Sequence, residues 1–84
     1  MESTGNLPGW PGANAIYKRL GDMATAIAAN SYETQRAAWK GPAKRFKFAP
    51  PEDVVAIREA LNKGDEADCK GLWHALRARH GWPG

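Results

Sequence analysis

The chain has 84 residues, 43% of them hydrophobic and 25% charged, with a net charge of +3. That is a globular composition at a length that holds one domain with a small core and short connections. One cysteine, Cys69, excludes an internal disulfide and points to a reducing, cytoplasmic setting. No run approaches the roughly 20 apolar residues of a membrane span, and the opening "MESTGNLPGWPG" lacks the basic-then-apolar order of a signal peptide. No membrane partner is therefore expected.

Taken in chain order, residues 1–12 are dense in Gly and Pro and read as a flexible tail ahead of a single helical domain, 13–84. Leu7 and Trp10 are the tail residues able to fold back onto the body. A first helix is predicted from Ala13 to Leu20, with Asn14 as its cap, Ile16, Tyr17 and Leu20 as its apolar stripe, and Gly21 as its stop. Asp22 caps a second, "MATAIAAN", whose inner face is Met23, Ala24, Ile27 and Ala28. Asn30 ends it, because Asn tolerates positive φ better than most residues. Either Asn30 or Ser31 then caps a third helix, from about Tyr32 to Lys40, which stops at Gly41-Pro42.

Residues 42–49 alternate charge and aromatic, and read as an extended loop with Phe46 and Phe48 turned inward, a short strand being the alternative. Pro50-Pro51 leads into a fourth helix bearing Val54, Ile57 and Leu61, with Glu52 and Asp53 complementing its dipole and Gly64 ending it. A fifth starts near Glu66, carries Cys69, Leu72, Trp73 and Leu76 on one face, and finishes at Gly81. The expected fold class is all-α, a compact bundle of about five short helices.

Charge is unevenly placed. Between Thr34 and Pro51 stand five cations (Arg36, Lys40, Lys44, Arg45 and Lys47) and no acid. A concentrated positive field of that kind attracts polyanions. Two short helices, "GDMATAIAAN" and "SYETQRAAWKG", flank a turn at Asn30-Ser31, which is the layout of a helix-turn-helix.

Residues 16–62 resemble the Cro-like helix-turn-helix proteins of phages and prophages, including antitoxin-type members. The resemblance rests on "LGDMATAIA", "SYETQRAAWKG" and "PPEDVVAIREAL". It implies a small transcriptional regulator that lays residues 31–40 in the major groove of double-stranded DNA, as a homodimer. By the same analogy the contact residues are Ser31, Tyr32, Thr34, Gln35, Arg36 and Lys40. Thr34 and Arg36 would face bases, and Ser31 and Tyr32 would meet phosphate through free N–H groups at a helix start. Lys44, Arg45 and Lys47 would grip the flanking backbone. Gln35 stands where the family pattern has Val or Ile. A buried, satisfied Gln35 keeps this register, whereas an exposed one turns the reading face by a step.

Enzyme chemistry has little support: there is no Gly-rich phosphate loop, no Ser or Cys nucleophile with a nearby His and no carboxylate pair in an apolar setting. Cys69, His74 and His80 lack zinc spacing, since 11 residues of helix would part Cys69 from His80 by about 16 Å. No metal and no small-molecule cofactor is expected. The alternative to DNA binding is a protein-binding regulator on a helix-turn-helix-like fold, such as an antiactivator, an antitoxin or a phage-encoded inhibitor. Its partner surface, or that of a dimer, would lie around Trp73, Leu76 and Trp82. A third reading is RNA binding, with Phe46 or Phe48 stacking on bases.

Overall fold

The structure, a computed structural model, describes residues 8–83. Among these residues there are three α-helices and no strand: α1 (Ala13–Ala38), α2 (Glu52–Lys63) and α3 (Glu66–His80), with a single 3-10 turn at Ala43–Arg45 between the first two. The chain is all-helical, as expected, but with three helices in place of five. Among the described residues no helix is long and apolar enough to cross a membrane.

The difference lies entirely in α1, a 26-residue helix that runs through both expected breaks. Eight of its residues are alanine, the best helix former. One interior Gly costs about 1 kcal/mol relative to Ala, too little to end a helix that tertiary contacts extend. Asn30 does not take a positive φ; among the described residues only glycines do. Both expected breaks are bridged from inside. The Thr25 hydroxyl donates to the Gly21 carbonyl and the Thr34 hydroxyl to that of Asn30, each at 3.0 Å. Asp22 therefore caps nothing. Asn14 also lies within the helix, the residue at the capping position being Gly12.

The later helices begin and end where local chemistry directs. α2 follows Pro51 and carries Glu52 and Asp53 in its first turn. Gly64 and Gly81 close α2 and α3 with φ of +71° and +70°, a conformation that costs other residues more. Asp65 caps α3, its carboxylate accepting from the Asp68 N–H at 3.1 Å. In the core, Leu20 and Met23 of α1 meet Ile57 and Ala60 of α2 and Cys69, Trp73 and Leu76 of α3. Trp73 and Leu76 are each only 3% exposed. They are core residues and cannot form the partner surface expected of them, while Trp82 covers Trp73 edge-on at 6.4 Å.

Polar ties fix how the helices sit. The Tyr17 hydroxyl donates to the Leu61 carbonyl at 2.7 Å, and the Trp10 indole N–H to that of Gly64 at 3.0 Å. Trp10 thus docks on the body. Of the expected tail, residues 1–7, Leu7 included, lie outside the described residues. The Asp53 carboxylate receives Arg79 at 2.9 Å and the His80 ring at 2.8 Å, joining the start of α2 to the end of α3. The Cys69 thiol donates to the Ala60 carbonyl at 3.4 Å. Burial, helped by Asp65 and Asp68, pushes that thiol above its ordinary pKa. Burial also raises the Tyr17 phenol, with Cys69 adding to it.

The last fully packed residue of α1 is Met23. Ala24 and Ile27 still pack half-buried against the core, and beyond them the helix leaves it as an arm. Accordingly, the radius of gyration is 15.0 Å, against about 12 Å for a compact chain of this length.

Candidate nucleic-acid interface

The arm is the part of α1 from about Ala28 onward, together with the chain that returns along it to Pro51. Tyr32, Gln35, Arg36 and Trp39 recur at i, i+3, i+4 and i+7, so they form one stripe. The returning segment packs on that stripe. Phe46 meets the Tyr32 ring edge-on at 5.3 Å and the Trp39 ring at 6.3 Å, and Phe48 meets Tyr32 at 5.6 Å. The Arg36 guanidinium stands 5.8 Å from the centre of the Phe46 ring. Both phenylalanines are half-buried, as an inward-facing loop requires.

Gln35 is the latch between the two halves of the arm. Its Nε2 donates to the Ala49 carbonyl at 2.9 Å and to the Ser31 hydroxyl at 2.8 Å. Its Oε1 accepts from the Ala49 N–H at 3.0 Å. A primary amide presents one donor edge and one acceptor edge, as a backbone unit does, so it holds the extended residue at 49 as a neighbouring strand would. The amide is half-buried and satisfied, and its bonding is internal to the arm. It is a clamp, not a group free to read bases.

At the far end the chain turns tightly. Trp39 leaves the helix in an extended conformation, and its indole N–H donates to the Pro42 carbonyl at 2.9 Å. The ring lies against Gly41, where a Cβ would sit 2.6 Å from Trp39 Cζ2. Only glycine fits under the indole.

This arrangement redistributes the nine residues expected to meet DNA. Ser31 and Tyr32 are interior to α1, so no helix start exists there and their N–H groups are not free for phosphate. Thr34 is exposed, with its hydroxyl proton spent on Asn30. Arg36, Lys40, Lys44, Arg45 and Lys47 are all exposed, and among the described residues none of them forms a salt bridge. Lys63, Lys70 and Arg79 of the core region are each paired. Lys63 gains enough from its hydrogen bond and charge contact with Asp68 to be held above its ordinary pKa. Lys18, Arg19, Arg58 and Arg77 of the body are also without a salt bridge among the described residues, but the arm holds the one run of five cations free of intervening acid, four of them on the returning segment. The helix is mainly its support. Glu33 is the one acid beside it.

A cleft of about 420 Å³ separates the arm from the core, lined by Ile27, Asn30, Ser31, Thr34, Asp53 and His80 among others. The latch was not visible in the sequence as a pairing, although Gln35 stood out there as an amide at an apolar position. Compared with protein-family models, curated proteins and solved structures, the chain matches none.

Proposed function

We propose that this protein is a non-enzymatic nucleic-acid-binding protein whose arm grips the phosphate backbone of double-stranded DNA. The observation that carries the reading is the set of five unpaired, exposed cations on one latched projection, in a chain whose total charge is only +3. Outside the arm the charges nearly cancel, so the arm carries most of the net positive field available to dock DNA. Backbone contact follows from the chemistry. Lys and Arg on an extended segment reach phosphate oxygens, whereas base readout needs a presented helix face or ribbon. The expected recognition helix contributes nothing to this reading, because α1 has no turn at Asn30-Ser31; the supported, returning segment carries the contacts instead.

The test is fluorescence anisotropy with two unrelated duplexes at two salt concentrations. If all five cations meet phosphates, the slope of log K against log salt is about −4.5. Raising salt from about 50 to 200 mM then weakens binding by roughly 500-fold, and three contacts would give about 40-fold. Lys44→Ala should weaken both duplexes alike and lower the slope by about 0.9. No binding at micromolar protein and low salt refutes the proposal, and so does an affinity indifferent to salt.

A further inference from the structure

A second basic feature lies away from the arm, on the face that α1 and α3 share. Lys70, His74 and Arg77 stand at i, i+4 and i+7 on α3, so they form one stripe. Arg19 of α1 faces it across a groove of about 310 Å³ whose remaining lining is Ile16 and Trp73. Apolar walls around cations focus their field into the groove. All four polar lining residues are cationic or can become so, and no carboxylate lines the groove among the described residues. Lys70 is shared with Glu66, 2.7 Å away. Arg19 lies over the Trp73 ring at 5.9 Å, and among the described residues neither it nor Arg77 has an ion pair. The Arg77 Nε is shut off from solvent without a hydrogen-bond partner, a donor left unsatisfied beside the groove.

We propose that this groove is an anion site that takes a phosphate-type oxyanion. Like charges drawn from two helices around one concavity repel each other, and a bound oxyanion reverses the sign of that interaction. The planar guanidinium of Arg77 is suited to pair with two phosphate oxygens. The stripe from Lys70 to Arg77 is about 10 Å long, enough for two linked phosphates. The site is independent of the arm, since Arg19 and Arg36 lie about 25 Å apart along α1. Its phosphate can belong to a small phosphorylated molecule or to a nucleic-acid strand, and the chemistry of recognition is the same.

The experiment is an amide NMR titration with sodium pyrophosphate at constant ionic strength, balanced with chloride. Saturable shifts are expected at Lys70, His74, Arg77 and Arg19, with Kd near or below about 1 mM. Arg77→Gln should raise Kd about tenfold or more. Arg19→Gln, at an exposed position, should raise it several-fold and decides the matter if the first variant does not fold. Lys44→Ala should leave it unchanged. Shifts that do not saturate, shifts centred on residues 36–47, or a Kd unmoved by both groove variants would overturn the proposal. Repeating the DNA titration with the groove variants identifies the source: unchanged DNA affinity assigns the site to a small phosphorylated molecule, and weakened affinity assigns it to a strand.

Discussion

Replacing Gln35 with alanine removes the clamp while leaving every cation in place. The amide exchanges two hydrogen bonds with Ala49, at 2.9 and 3.0 Å, at the edge of solvent. A typical net value of about 0.5–1.5 kcal/mol per bond puts the loss at about 1–3 kcal/mol. The lower half of that range applies, because water replaces the lost partners at so exposed a site. A change of about 1–2 kcal/mol opens the arm roughly 5- to 30-fold more often. No fully packed residue lies beyond Met23 on α1, so this opening should be local and not a global unfolding event. Native-state hydrogen exchange reads it directly. The Phe46 amide, whose bond to the Ala43 carbonyl the substitution leaves in place, should exchange about tenfold faster in Gln35→Ala, while amides of Leu20 and Ile57 keep their rates. An equal acceleration throughout the core would show that arm and core are one cooperative unit. No change at Phe46 would show that the aromatic contacts of Tyr32 with Phe46 and Phe48 hold the segment unaided. Either result refutes the latch.

Three further outcomes follow from the core. Leu20→Ala empties a fully buried site between the three helices; it should cost about 3–5 kcal/mol, visible in denaturant titration as a lower midpoint with an unchanged slope. Asp65→Ala removes the cap of α3 and should cost about 1 kcal/mol, or several degrees in thermal melting. Cys69 and Tyr17 both have folded-state pKa values raised above ordinary ones. The folded state then holds these protons more tightly, so the thiol's contribution is intact below its unfolded pKa of about 8.5 and is lost as pH rises from there through the folded value, with that of Tyr17 following only above about pH 10. Urea midpoints should fall between about pH 8 and pH 10, and Cys69→Ala should remove the thiol's share of that fall.

Legibility followed the range of the interactions. The bounds of α2 and α3 were readable because their signals are local: Pro51 and the first-turn acids, then Gly64 and Gly81. The same kind of local reasoning failed in α1. Gly21 and Asn30 carry weak stop signals, and the alanine content around them, with the Thr25 and Thr34 back-bonds, outweighs those signals. One missing break removed the turn on which the helix-turn-helix expectation depended. The acid-free run of five cations was plain in the sequence. Its mounting was not, because Gln35 and Ala49 meet across 14 residues through a side chain and a backbone. The groove cations were less visible still, as Arg19 and Arg77 lie on helices that only the tertiary fold brings together.

Because α1 is unbroken, its two halves cannot be steered separately. Arg36 lies about 24 Å along the rod from Leu20. A tilt of about 10° where Leu20 and Met23 are seated would therefore swing Arg36 by about 4 Å, comparable with the length of a lysine stem. The direction in which the arm's charge points is thus set in the hydrophobic interior, by the shapes of side chains that never reach the arm. A conservative exchange at Met23 or Ile57 would leave the surface charge untouched and still redirect where that charge falls.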